Sequence, residues 1–375
     1  MSGKAMGTTW KVTVRTPQTY ELHELIDAVA SKIKESETIL SHWRPDAELY
    51  QFNQNVSPSP VSIHPLMHEL IQHAQQMHAE TDGAFDITVA PLVNLWGFGP
   101  IEQTRESLPT KAEIEQAQTL VGMEHLEILL DHQVKKKLPT LQLDLSGSAK
   151  GAIIDEVCAV LDEEGFQHYL VEIGGELRAK GNGVEGEGWR VALEDGSEGK
   201  MTLVKLQDYA VATSGTYRLN KPNPDAPKPA SHLIDPRTGS PVEHDLVAVN
   251  VFAQTARDAD AWATAFMILG SNESMKIAHK KGIAVRFCIQ KGDLILYRSS
   301  LEYNKLMRKL NLTKLITFSD TEGELKVRCL VSLGFQSWVK VMKKIVSCMD
   351  AGIVHIGHFP AYFQHANFIF KFTHG

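Results

Sequence analysis

What most constrains the fold of this 375-residue chain is its apolar pattern, whose period switches between the strand and helix values with no repeated strand–helix–strand rhythm. Trp10-Lys11-Val12-Thr13-Val14 alternates and is rich in β-branched side chains, as a strand requires. Residues 22–40 then carry Leu25, Ile26, Val29, Ile33 and Ile39 on one helical face. A second helix is predicted over residues 65–80, stopped at Asp82-Gly83, where glycine supplies a left-handed cap. Residues 141–145 read as a strand feeding a Gly/Ser turn and a helix over 150–164. Short β-rich segments follow at 169–173, 189–193, 209–213 and 246–252. A helix over 256–269 and strands at 283–289 and 293–297 complete the pattern. Intermixed elements of this kind predict an α+β domain, with a mixed or antiparallel sheet and flanking helices, rather than a doubly wound sheet.

Nothing in the first 300 residues resembles a repeat or a linker, so residues 1–310 are expected to form one large domain. Residues 311–375 break the pattern and end in a crowd of aromatics and histidines. They are read as a tail of unknown role: an appended element, a poorly ordered stretch or a sequence altered by frameshift. A hydrophobic content of 43% against 22% charged residues supports a buried core. The net charge of −7 argues against a nucleic-acid partner, which needs a basic face. Lys135-Lys136-Lys137 is the longest basic run and reads as a solvated turn.

No apolar run reaches the ~18 residues of a spanning helix, and the first residues lack a signal-peptide core. A cytoplasmic protein is expected as written, or an exported one whose leader is missing. Cys158, Cys288, Cys329 and Cys348 form no CxxC pair. Cys158 falls on an apolar helical stripe, where a small buried hydrophobe is the simpler role. His64, His68, His73 and His78 share one helix; without an intervening carboxylate or a third ligand they read as a wet face.

Four segments carry chemistry. In Leu143-Asp144-Leu145-Ser146-Gly147-Ser148-Ala149-Lys150-Gly151, small residues admit a ligand to the backbone, and Lys150 can meet a phosphate or reach a base. A plain strand-to-helix turn with a solvated lysine explains the same residues, and the P-loop spacing is absent. In the segment from Arg257 to Ala265, Asp260 and Thr264 are four apart on one helical face, with Ala263 beside them. A carboxylate, a hydroxyl and nearby carbonyls suit Mg²⁺, although acids opposing the helix dipole explain Asp258 and Asp260 equally well. In the segment from Ser231 to Gly239, Asp-Pro and Thr-Gly are turn chemistry, and His232 stands where it can act as a base or bond a phosphate. From Thr81 to Gly99, Phe85-Asp86 and the glycine-flanked Trp96 and Phe98 suit stacking on a flat ring system.

Taken in order, with Ala5-Met6-Gly7-Thr8-Thr9 and the stretch from Leu40 to Leu49, these segments resemble the ApbE family of FAD:protein FMN transferases over roughly residues 3–300. The resemblance implies FAD as substrate, Mg²⁺ as cofactor, and transfer of FMN to a Thr or Ser hydroxyl of an acceptor flavoprotein with release of AMP. Implied acceptors include subunits of membrane redox complexes, and the family leaves room for a homodimer and for an exported or membrane-anchored form. Hydrolysis of FAD to FMN and AMP at the same site is the nearest alternative, and non-catalytic FAD binding is another.

Carried over by position, the metal set is Gly147 through its carbonyl, Asp260, Ala263 and Thr264. The flavin-nucleotide set is Met6, Trp43, Ala84, Phe85, Asp86, Asp144, Lys150 and Ile234. His232 matches a family histidine near the pyrophosphate, and His232 or Asp260 is the candidate proton acceptor. Some relatives have Asp in place of Ala263 and an acidic residue in place of Lys150.

Overall fold

In the computed structural model the described residues are 1–16, 22–100, 107–184, 186–196, 201–216, 220–221, 230–292, 294–310, 315–321 and 324–330. Eight strands form the main sheet: β1 (Ser2–Ala5), β2 (Thr8–Val14), β3 (Tyr169–Ile173), β4 (Glu176–Lys180), β5 (Tyr209–Gly215), β6 (Leu246–Ala253), β7 (Ala284–Lys291) and β8 (Leu294–Ser299). They lie side by side in chain order, and every neighbouring pair is antiparallel. Of the two sheet types expected, the antiparallel one is found. The helices that matter for function are α1 (His23–Leu40), α2 (Pro65–Glu80), α3 (Ala149–Glu163) and α4 (Ala256–Lys281).

Both faces of the central strands are buried, and their alternation sorts side chains between two cores. In β5, Ala210 and Ala212 join a large core with Leu25, Val29 and Ile33 of α1, Ile153 and Val157 of α3, and Phe266 of α4. Val211, between them in sequence, belongs to a second core with Trp189, Val191, Leu193 and Tyr303. A period of two thus fixes which face each residue serves. Ile26 departs from the expected apolar stripe: it is 37% exposed.

Local chemistry sets the ends of α2. Pro65 occupies its first turn, His64 Nδ1 accepts from the Leu66 amide at 3.2 Å, and Gly83 closes the far end at φ +75. Of the four histidines, His64 is exposed at the N-cap, but the three within the helix do not form a wet face. His68 is buried with Nε2 3.1 Å from the Leu129 carbonyl, His73 Nε2 lies 3.0 Å from Asp258, and His78 Nδ1 lies 3.3 Å from Asp86.

Four further features depart from those expectations or add to them. Residues 141–145 join no sheet; the Asn53 side-chain amide instead accepts from Leu143 N and donates to Leu143 O, both at 2.8 Å, doing a neighbouring strand's work. The helix from Ala256 breaks at Gly270, where φ is +75, just past the end expected at residue 269, and helical backbone that was not expected resumes beyond it to Lys281. Lys136 lies in a strand rather than a solvated turn, buried with Nζ donating to the Asn55 carbonyl at 2.7 Å, and burial lowers its pKa to about 8. Strand pairing of Leu315–Thr321 with Glu324–Leu330 falls within the segment read as a tail, and residues 331–375, with Cys348 and the aromatic-rich end, lie outside the described residues. Cys158 is buried as expected, its thiol pushed up to about 12 by burial. Among the described residues, no helix is long and apolar enough to cross a membrane.

Candidate active site

A cleft of about 500 Å³ opens beside the turn that begins α3 and the first turns of α4. Its walls include Met6, Trp43, Ala84, Phe85, Asp86, Asp144, Gly147, Lys150, His232, Ile234, Asp260 and Thr264. These residues are spread from position 6 to position 264 of the sequence, so their meeting is a property of the fold and not of any one motif. Of the positions carried over from the family, Ala263 alone is absent from the walls, and it is fully buried.

The α3–α4 contact is the frame of the site. Asp155 of α3 accepts the Ala256 and Arg257 amides at the start of α4 with its two oxygens, each at 2.9 Å, and also pairs with Arg178. In return, Asp260 Oδ2 of α4 accepts the Gly151 amide in the first turn of α3 at 2.9 Å. Each helix therefore satisfies free amides of the other. Gly151 makes the approach possible: a Cβ there would stand 2.2 Å from the Ala256 carbonyl oxygen.

This clasp sets Thr264 Oγ1 3.3 Å from the Gly147 carbonyl. Gly147 is itself cradled, since an added Cβ would lie 3.1 Å from Thr264 Cγ2 and 3.2 Å from Phe85 Cε2. Asp260 is fully buried, and burial pushes its pKa up to about 7; Lys150 opposes that shift and Glu176 adds to it. A buried carboxylate, a hydroxyl and a backbone carbonyl make a hard-oxygen donor set, which fits Mg²⁺ and not a soft metal. Among the described residues there is no group of three His, Cys, Asp or Glu side chains that could hold a metal instead.

The remaining walls are fixed by local bonds. Met6-Gly7 is a two-residue hairpin turn with φ of 51 and 68, the pairing that tight hairpins favour, and the Met6 amide donates to Glu37 at 2.7 Å. Asp144 holds its own turn by accepting from the Ser146 amide at 2.8 Å, and its amide donates to the Ile87 carbonyl at 2.7 Å. Asp86 Oδ1 accepts from the Thr88 amide and hydroxyl at 2.8 and 2.6 Å. Ile234 pairs with Pro241 in a short hairpin that Asp235 and Arg237 brace, at 2.9 and 2.7 Å.

His232 packs edge-on to Phe98, with ring centres 6.3 Å apart. Trp43 is 57% exposed at the rim, while Phe85 is buried. Trp96 is not among the cleft walls: its Nε1 donates to the Gly239 carbonyl at 2.8 Å, and it braces the hairpin.

Glu176 escaped notice in the sequence. It is 2% exposed, accepts from Lys150 Nζ at 2.6 Å, and leaves its other carboxylate oxygen buried with no hydrogen-bond donor among the described residues. Locally only a turn could have been read: Gly174 and Gly175 both take positive φ and set an acid at the start of β4, but nothing local shows that Lys150 meets it. Thr8, Gly174 and the run Thr213-Ser214-Gly215 were likewise missed.

A family model described as the ApbE family matches residues 6–287. The FAD:protein FMN transferase of Salmonella typhimurium is 37% identical over 299 residues, covering 78% of this chain and 85% of that protein. That of Haemophilus influenzae is 34% identical over 319 residues, covering 82% and 90%. Among solved structures, the flavin transferase ApbE from Vibrio cholerae superposes with a TM-score of 0.74 at 33% identity, covering 81% of this chain and 97% of that one.

Proposed function

The chain belongs to the ApbE family, and from that premise we propose that it transfers the FMN part of FAD to a Thr or Ser hydroxyl of an acceptor flavoprotein, releasing AMP. One observation carries the reading. All the residues that the family pattern assigned to flavin nucleotide, metal and pyrophosphate, Ala263 excepted, line a single cleft of about 500 Å³, within the size range of small-molecule sites.

Within that cleft, Phe85, Phe98 and Trp43 offer flat apolar faces for the ring systems of FAD. Lys150 supplies positive charge, steadied by Glu176 at 2.6 Å. The Asp260 carboxylate, the Thr264 hydroxyl and the Gly147 carbonyl are the residues that would hold Mg²⁺, which when bound neutralises pyrophosphate charge and steadies the leaving phosphate. In the transfer, the acceptor hydroxyl oxygen bonds to the FMN-side phosphorus as the bond from that phosphorus to the bridging oxygen breaks in line. AMP departs with the bridging oxygen.

His232 takes the proton from the attacking hydroxyl in this scheme. Asp260 suits that task less well, because one of its oxygens holds the Gly151 amide and the other is assigned to the cation. Water reaching the same phosphorus would instead give free FMN and AMP.

Incubating the protein with FAD and Mg²⁺, with and without an acceptor flavoprotein, separates the outcomes. Transfer predicts AMP and covalent flavin fluorescence only when acceptor is present. AMP at the same rate without acceptor would make the protein a pyrophosphatase, and no AMP under either condition would make it a flavin-binding protein.

A further inference from the structure

Glu37, in the last turn of α1, joins two segments that carry walls of the cleft. Its Oε1 accepts the Met6 amide at 2.7 Å, from the turn between β1 and β2. Its Oε2 accepts from Arg44 Nη1 at 3.3 Å, and its own carbonyl accepts the Ser41 amide at 3.1 Å. Residues 41–44 include Trp43, so one side chain ties the Met6 turn to the Trp43 loop. Met6 needs such a hold. Its φ of 51 is left-handed backbone, which a residue with a Cβ rarely adopts and keeps only where its surroundings impose it. The strand ladder pairs Ala5 with Thr8, and in a two-residue turn the Met6 amide has no ladder partner. Glu37 supplies one from 31 residues away in sequence, and with a charged acceptor, the stronger kind.

We propose that Glu37 is a positioning residue for dinucleotide binding, which holds Met6 in its left-handed turn and so fixes that wall of the cleft before the ligand arrives. The inference rests on the FAD-binding reading above and adds a residue that reading did not include. Glu37 is not among the cleft walls and acts through Met6. A wall fixed beforehand spares the complex an ordering cost, so the gain appears in affinity. Gly147, Asp260 and Thr264 are held by the α3–α4 clasp, so the rate once FAD is bound should not depend on Glu37.

Calorimetric titration of the full chain with FAD and Mg²⁺ measures the affinity, and AMP release in the presence of acceptor at saturating FAD measures the rate. Glu37→Met keeps a long side chain that suits a helix and removes the acceptor. It is expected to weaken FAD about 10-fold and to leave the saturated rate unchanged. Glu37→Gln keeps an oxygen for the Met6 amide and should restore affinity to near wild type. Deuterium exchange of the chain without FAD supplies the second readout. Exchange at Met6 should quicken in Glu37→Met and not in Glu37→Gln, with the change confined to the turn between β1 and β2. A Glu37 that merely supports α1 predicts faster exchange along that helix and no rescue by Gln.

Wild-type affinity in Glu37→Met would overturn the proposal, and so would a Gln variant as weak as the Met variant. Lost affinity without faster exchange at Met6 would overturn the route through the turn. A fall in saturated rate as large as the fall in affinity would overturn the positioning role. If Glu37→Met does not fold, Glu37→Ala removes the same acceptor and decides the question in its place. Failure of the wild-type chain to bind FAD at all would instead refute the flavin reading itself.

Discussion

Asp260 combines two duties in one side chain, holding the Gly151 amide and presenting a carboxylate in a fully buried setting. Asp260→Asn keeps an oxygen for the amide and removes the charge. It is expected to leave the fold intact and lower Mg²⁺-dependent AMP release about 100-fold or more, measured by titrating Mg²⁺ at saturating FAD. Unchanged Mg²⁺ dependence would refute the assignment.

His78 gives a separate test through pH. Its contact with Asp86 raises its pKa above the ordinary histidine value, against the opposing effect of burial. A raised folded-state pKa stabilises the protein fully below the unfolded value near 6.5, and the gain disappears as pH rises through the folded value. The gap in thermal midpoint between wild type and His78→Gln should therefore be widest near pH 5.5 and shrink by pH 8.5. A gap that widens with pH would show that the pair does not stabilise the fold. Asp260 and Thr264 were legible as a pair because helical spacing alone puts them on one face. Glu176 was not, because its significance depends on Lys150, which reaches it from another element.

At the scale of elements, α3 and α4 work as a clasp with Gly151 at the crossing. In Gly151→Ala the new methyl would collide with the Ala256 backbone, which cannot swing aside as a side chain can. The helices must separate, at a cost of about 1–3 kcal/mol, and Thr264 must withdraw from the Gly147 carbonyl. Urea unfolding should report the lost stability, and the Mg²⁺ requirement should rise with it; wild-type stability would show that the helices yield without cost. Helix and strand positions were largely readable from apolar period, since burial on one face writes itself into the sequence. The extended run at 141–145 shows the limit. Its alternation is that of a strand, yet its partner is the side chain of Asn53 and not a ladder, and no local pattern announces that. The end of the first part of α4 was legible, since Gly270 breaks the helix just after the expected end at residue 269; the helical stretch that resumes beyond it was not, and the His244 ring, which bonds the Met267 carbonyl at 2.7 Å, comes from 23 residues away in sequence.

For the molecule as a whole, the cleft draws its walls from residues between Met6 and Ile268, all in the compact unit made of Met1–Ser197 and Leu203–Leu312. A chain ending at Leu312 is accordingly expected to keep wild-type FMN transfer, checked by covalent flavin fluorescence of the acceptor. A large loss of transfer would mean that the later residues contribute to the reaction. Fold class was legible from the mixture of periods. The convergence of Met6, Phe85, Lys150, His232 and Asp260 was not contained in any one segment, and only the ordered set of motifs, through family resemblance, linked them beforehand.

The central claim is a bond from FMN phosphorus to an acceptor hydroxyl, made as AMP leaves. Mass spectrometry of the acceptor after incubation with this protein, FAD and Mg²⁺, with AMP quantified in the same mixture, tests it directly. The predicted result is one phosphoester-linked FMN on a Thr or Ser side chain for each AMP released. AMP accompanied by free FMN and an unmodified acceptor would contradict it.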